Sequence, residues 1–207
     1  GRLDLRNKFE PVEIELAPFQ EKAYMEIVNH FADKDVVLLQ GITSSGKTHI
    51  YFKLIEDTLA RGQQVLYLVP EIALTTQLIE RVRQQFGNRV VVSHSRFNSN
   101  ERVEIWNAVA SGTADVILGP RSAVFMPFVN LGLVIGDEEH ENSYKQYDPA
   151  PRYNGRDAAI MLAYLFKAKT LLGSATPSME SYHNVLGKKY GYAELSERYG
   201  GIKLPEL

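Results

Sequence analysis

The chain has no cysteine, which removes disulfides, thiolate zinc sites and cysteine nucleophiles together. That absence fits a reducing compartment, and the cytoplasm is the expected location. Long hydrophobic runs are missing too. Stretches such as Val36-Val37-Leu38-Leu39 fall far short of the roughly 18 apolar residues that span a bilayer, and no basic leader precedes an apolar stretch. No membrane partner is expected. Nor is there an excess of charge: 23 Lys and Arg against 25 Asp and Glu leave a formal charge of -2, so affinity for nucleic acid must come from a local patch. With 15 Gly, 9 Pro and 44% apolar residues in 207, collagenous, coiled-coil and low-complexity chains are excluded. The length suits one core. A start at Gly1 and a linker-like ending, Gly-Gly-Ile-Lys-Leu-Pro-Glu-Leu, suggest a piece of a longer protein.

Val36 to Leu39 form a short apolar run rich in β-branched residues, the pattern of a strand buried on both faces. After a glycine-containing turn, Ile50, Leu54, Ile55 and Leu59 recur at helical spacing from Thr48, and Gly62 closes the segment as a C-terminal cap. The unit repeats. Val65 to Val69 read as a strand, then Leu74, Leu78, Ile79, Val82 and Phe86 as one helical face ending at Gly87. Val90 to Val92 and a helix around Val103, Ile105 and Val109 follow. Further strands are expected at Val116–Leu118, Leu133–Ile135 and Thr170–Leu172, with a helix over residues 157–166 between the last two. Strands alternating with helices predict an α/β fold, a mostly parallel central sheet with helices on both faces. Residues 1–17 read as an entry linker, 18–187 as the folded lobe, and 188–207, which show no clear period, as an extension.

Gly41-Ile42-Thr43-Ser44-Ser45-Gly46-Lys47-Thr48 matches G-x-x-x-x-G-K-S/T between a predicted strand and a predicted helix, the context that gives this pattern its meaning. Glycines let successive backbone N–H groups converge on phosphate oxygens, and the helix N-terminus adds its positive end. Lys47 can reach the β and γ phosphates, and Thr48 offers a hydroxyl to Mg²⁺. A glycine-rich turn with a solvated lysine is the bland alternative, and the strand and helix context weighs against it.

Leu133-Val134-Ile135-Gly136 leads into Asp137-Glu138-Glu139-His140, a carboxylate pair at the C-terminal end of a strand, where open α/β sheets bind ligands. Asp137 can hold Mg²⁺, directly or through water, and Glu138 can orient and deprotonate an attacking water. Asp-Glu clusters are usually exposed acidic turns, but here a phosphate loop precedes one on the same predicted sheet. His140 is assigned to coupling and not to chemistry, because metal ligation would need partners that the sequence does not show.

The phosphate loop, Leu68-Val69-Pro70-Glu71-Ile72-Ala73-Leu74-Thr75, Gly119-Pro120-Arg121-Ser122-Ala123, Asp137-Glu138-Glu139-His140 and Gly173-Ser174-Ala175-Thr176-Pro177 occur in the order of superfamily 2 helicase motifs I, Ia, Ib, II and III. With Ser143-Tyr144-Lys145-Gln146 and Tyr153-Asn154-Gly155-Arg156-Asp157, the chain resembles the PriA-type family of primosomal replication-restart DNA helicases from about Leu16 to Leu207. The resemblance implies the first RecA-like lobe of a P-loop NTPase, part of a bacterial 3′ to 5′ helicase that uses ATP and Mg²⁺ and acts in the nucleoid. Single-stranded and forked DNA, a second lobe and DNA-binding domains of the same parent chain, and replication-restart proteins are the implied partners. It also implies residue roles. Gln20 would read adenine, Ser174 and Thr176 would link hydrolysis to strand movement with His140 as their contact, and Arg121 and Thr75 would meet the DNA backbone. Tyr144, Lys145, Tyr147, Arg152 and Tyr153 fill the place of an aromatic-rich loop, a mixture suited to single strands, and DNA contact is favoured over the alternative of an ordinary polar loop whose tyrosines pack locally. Pro120 stands where threonine or alanine is more usual. The family's zinc-binding cysteines and the arginine finger of its second lobe are not in this sequence, so no zinc is expected and hydrolysis by this stretch alone should be nearly absent. Two rivals stay open: another superfamily 2 translocase or helicase, and a nucleotide-gated protein-interaction module.

Overall fold

The computed structural model describes residues 12–42, 46–145 and 153–196. Six α-helices and seven strands are found among them: α1 Pro18–His30, β1 Val36–Gly41, α2 Lys47–Ala60, β2 Gln64–Leu68, α3 Thr76–Phe86, β3 Val90–Val92, α4 Ser99–Ala110, β4 Val116–Gly119, β5 Leu131–Asp137, α5 Gly155–Phe166, β6 Lys169–Ser174, α6 Met179–Leu186 and β7 Gly191–Leu195. The strands form one sheet in the order β3-β4-β2-β5-β6-β1-β7, and every pair is parallel.

Continuous apolar runs form these strands because both faces of the sheet are covered. Alternation divides each run between two cores: Val65 and Tyr67 of β2 pack with residues of α1, α2 and α3, whereas Leu66 and Leu68 face Val109 of α4 and Ala159 and Ala163 of α5. Helices α3, α4, α5 and α6 begin where a side chain satisfies one of the first free N–H groups. Thr75 caps α3 by accepting from Leu78 N at 3.2 Å, and at α4 Asn98 and Glu101 each accept from the other's backbone.

Three differences from the sequence reading have local causes. Leu74 is buried but precedes α3, in the turn after a short 3₁₀ segment at Glu71–Ala73, because the Thr75 cap fixes the helix start at Thr76. In α4 only Val109 is buried, with Val103 and Trp106 about half exposed, so its apolar residues do not share one stripe. The third concerns residues 188–207, expected outside the lobe: Gly191–Leu195 pairs with β1 in register from Val37↔Gly191 to Gly41↔Leu195, burying Ala193 and Leu195. Its inward positions, Gly191, Ala193 and Leu195, alternate correctly but two of them are too small to give a hydrophobic signal.

Candidate functional site

The three adjacent strands β5, β6 and β1 deliver their C-terminal ends to one edge of the sheet, with β6 between the other two. From β1 the chain enters the phosphate loop, and Gly46 adopts φ 89°, a left-handed conformation that glycine takes without steric penalty. Helix α2 starts immediately after it. Thr43, Ser44 and Ser45 lie outside the described residues. Lys47 is buried, its Nζ donating to the carbonyls of Gly41 at 2.6 Å and Ile42 at 3.4 Å and standing 3.8 Å from Glu138 Oε1. Thr48 is half-buried in the same first turn. The Lys47 ammonium at the helix N-terminus therefore meets the acidic end of β5, with Thr48 beside it in the same turn, residues suited to triphosphate recognition.

Asp137 ends β5 beside Gly173 of β6. Burial pushes its carboxyl pKa up, opposed by a hydrogen bond from Tyr51; the neighbouring Glu138 raises it further and Lys47 lowers it. A carboxylate kept out of water in this way gains from a cation. Glu138 follows with φ 48°, an uncommon conformation for a residue with a side chain and one that concentrates at functional sites. That turn brings its carboxylate between Lys47 and His140, whose Nδ1 is 3.6 Å from Glu138 Oε2. Among the described residues no cluster of three His or acidic side chains could hold a metal by itself. One aspartate and one threonine hydroxyl instead suit Mg²⁺ that arrives with a nucleotide and keeps phosphate and water ligands.

The structure brings three of the expected residues together: His140 Nδ1 and Ser174 Oγ are 2.5 Å apart, and the same hydroxyl accepts from Thr176 N at 3.0 Å. Ser174 is buried while Thr176 is exposed. A second link was missed from sequence. Glu139 is buried, and its carboxylate accepts from Arg156 Nη1 at 3.1 Å, Ser178 N at 2.6 Å, Ser178 Oγ at 3.0 Å and Ser181 Oγ at 3.0 Å. Arg156 also reaches Asp157 and Glu180. Burial works against its charge but these carboxylates outweigh it and hold it protonated. A buried acid needs such donors, and an arginine shortly after the acidic motif was the only signal in the chain.

Two expected roles change. Gln20 is fully buried; its Nε2 donates to Gly46 O at 3.2 Å and its Oε1 accepts from Ala17 N at 2.8 Å. It braces the phosphate loop against the start of α1 and presents no open face to an adenine. Tyr144 was expected in a DNA-stacking loop, but its ring is 2% exposed and its hydroxyl donates to the carbonyls of Leu68 at 3.2 Å and Asp137 at 2.5 Å. A ring seated under the acidic motif cannot stack on a base.

The remaining positions lie nearer the surface. Lys145 and Thr75 are exposed, and Arg121 donates to Lys145 O at 3.3 Å. Tyr153 packs edge-on against Phe125, centroids 5.1 Å apart, and Lys145 pairs with Asn154 in an antiparallel bridge. Tyr147 and Arg152 lie outside the described residues. Pro120 opens the 3₁₀ turn Arg121–Phe125 with φ -77°, and its carbonyl accepts from Ala123 N at 2.9 Å, so proline fits that backbone. No helix among the described residues is long and apolar enough to cross a membrane.

A seven-stranded parallel sheet with a phosphate loop after β1 and an acid pair at the end of β5 defines a RecA-like nucleotide-binding lobe. The DEAD/DEAH box helicase model matches residues 17–185, and the chain belongs to that family. It is 47% identical over 161 residues to the replication restart protein PriA of Chlamydia trachomatis, covering 78% of this chain and 21% of that protein. With PriA of Bacillus subtilis the identity is 40% over 191 residues, 91% of this chain and 24% of the relative. The chain thus spans about a quarter of the length of the relatives it matches. Its fold resembles that of RecG bound to a three-way DNA junction, with TM-score 0.62 and 24% identity over 93% of this chain and 25% of that one. A DEAD box protein from Methanococcus jannaschii matches with TM-score 0.57 and 18% identity over 86% of this chain and 49% of that one.

Proposed function

We propose that this lobe binds ATP with Mg²⁺ and, within a longer replication-restart helicase, couples hydrolysis to 3′ to 5′ movement along single-stranded DNA at forks. The observation that carries the reading is the meeting of Lys47 with the Asp137-Glu138 pair, ammonium and carboxylate 3.8 Å apart. Lys47 and the backbone from Gly41 to Thr48 bind the phosphates, and Thr48 and Asp137 would hold the magnesium. The chemistry supplied there, when the ion is bound with nucleotide, would be positive charge that offsets the negative charge developing on the phosphate. Glu138 orients a water and accepts its proton at the carboxylate. His140 touches Glu138 and Ser174 together, so a change at the acid pair reaches the segment through Thr176 that follows β6.

Arg121, Thr75, Lys145, Tyr147, Arg152 and Tyr153 are the residues we assign to DNA. Replication-restart proteins and a second lobe of the same parent chain complete the set of partners, in the bacterial cytoplasm at the nucleoid. An arginine finger is worth about 10³ to 10⁵ in rate, so the lobe alone should turn over ATP very slowly. The test is titration of a fluorescent ATP analogue with and without Mg²⁺ on the unsubstituted chain and on Lys47→Ala. Tight, Mg²⁺-dependent binding that the substitution abolishes is expected; equal binding by both would refute the reading. In the full-length protein, strand displacement on forked DNA but not on RNA is expected, and preference for RNA would favour a different helicase.

A further inference from the structure

Asp137 does not stand alone at the end of β5. Tyr51 lies on α2, four residues after Lys47 and three after Thr48, spacings that put neighbours on one helix face. Its hydroxyl donates to Asp137 Oδ1 at 2.7 Å. The ring is fully buried and is fixed edge-on against Tyr67 of β2, with centroids 5.7 Å apart and planes at 82°. Gly173 of β6 completes the arrangement. A Cβ at that position would sit 1.7 Å from the Tyr51 hydroxyl oxygen and 3.3 Å from Asp137 Oδ1, so hydroxyl and carboxylate meet in space that any larger residue would fill. No left-handed φ calls for glycine there; the close approach does.

We propose that Tyr51 is a positioning residue for the magnesium ligand Asp137, with Gly173 providing the room for their contact. This rests on the ATP and Mg²⁺ reading above. Through Lys47, Thr48 and Tyr51, the first turns of α2 then govern the phosphates, the metal and the protein carboxylate that meets the metal. A carboxylate whose rotation is fixed before nucleotide arrives loses no rotamer freedom on binding, and groups that orient metal ligands in this way change metal affinity about 10- to 100-fold when removed. A tyrosine that merely fills the core would have no such effect, because phenylalanine keeps its ring.

The experiment measures binding of a fluorescent ATP analogue to the full chain as Mg²⁺ is varied. In Tyr51→Phe the Mg²⁺ concentration for half-maximal enhancement is expected to rise about 10- to 100-fold, with affinity in the absence of Mg²⁺ unchanged. An unchanged Mg²⁺ requirement would overturn the proposal while leaving the ATP reading intact. An unsubstituted chain that binds nucleotide with no Mg²⁺ response would overturn both. Gly173→Ala provides a second arm: alone it should raise the Mg²⁺ requirement, and in the Tyr51→Phe background it should add little. Independent effects multiply to within about twofold, so full multiplication of the two penalties would contradict a shared contact.

Discussion

Lys47 and Glu138 lie 3.8 Å apart, Nζ to Oε1, although Glu138 reaches that place only through a left-handed backbone at φ 48°. Such a conformation costs of order 1–3 kcal/mol in a residue with a side chain, and glycine adopts it freely at some expense in chain entropy. Glu138→Gly is therefore expected to be more stable than Glu138→Gln by roughly 1 kcal/mol, which raises the melting temperature by about 2–4 °C in a domain of this size. Both should lack ATP turnover in the full-length protein, since neither carries a base. Paired melting curves check the stability half, and identical curves would show that the backbone is not strained.

Glu139 and Arg156 carry a different expectation, because both partners are desolvated, with side-chain exposures of 0% and 9%. Removing one member of a buried pair leaves the other charged and uncompensated, at about 3–5 kcal/mol. Arg156→Ala should reach that range, since only serine and backbone donors would remain for Glu139. Glu139→Gln should cost less, about 1–3 kcal/mol, because an acceptor oxygen is kept and Arg156 retains Asp157 and Glu180, which are more than half exposed. Denaturant unfolding of the two variants decides it. Equal losses would mean that the hydrogen bonds, and not the ion pair, hold the acidic motif to the segment after β6.

What the sequence made legible were the features with their own local signature. The phosphate loop has fixed glycine and lysine spacing, and the apolar runs of β1, β2, β4, β5 and β6 have no polar interruption long enough to hide them. The acidic motif followed from its place at a strand end. Tyr51 and Gly173 carried no such mark, because their roles come from a 2.7 Å approach of Tyr51 to Asp137, 86 positions along the chain, that no periodicity reports. Tyr144 misled for the opposite reason: it sits among polar neighbours in sequence, yet its hydroxyl finds buried carbonyls on β2 and β5, which lets the ring go inside. Strand β7 escaped notice because glycine and alanine face inward there.

That burial separates two neighbours in DNA binding. Tyr144→Phe should leave affinity for single-stranded DNA unchanged while destabilising the fold by about 1–3 kcal/mol through two carbonyls left without their donor. Arg121→Ala should weaken DNA binding in the full-length protein with little regard to sequence and reduce the salt slope by about 0.7, the value for one phosphate contact on a single strand. Salt-dependent binding isotherms separate the two. A weakened DNA affinity in Tyr144→Phe at full stability would show that the hydroxyl serves DNA and not only the carbonyls of Leu68 and Asp137.

Tyr51, Tyr67 and Tyr144 give the lobe a calculable alkaline limit. Burial, first of all, pushes each hydroxyl pKa well above 10, and the charge of Asp137 adds to it in every case. Their folded values exceed their unfolded values, so above pH 10 the native state holds protons that the unfolded chain releases. Stability is then fully present below pH 10 and falls as the pH rises toward the native values, by about 1.4 kcal/mol per pH unit for each tyrosine. Three such groups predict a fall of about 4 kcal/mol per unit once the unfolded tyrosines ionise. Tyr67→Phe should lower the slope by about 1.4 kcal/mol per pH unit relative to the unsubstituted chain, whatever it does to stability at neutral pH. Denaturant midpoints from pH 8 upward, followed alongside tyrosinate absorbance, measure it. An unchanged slope, or tyrosinate appearing before unfolding, would show that water reaches these hydroxyls in the native lobe.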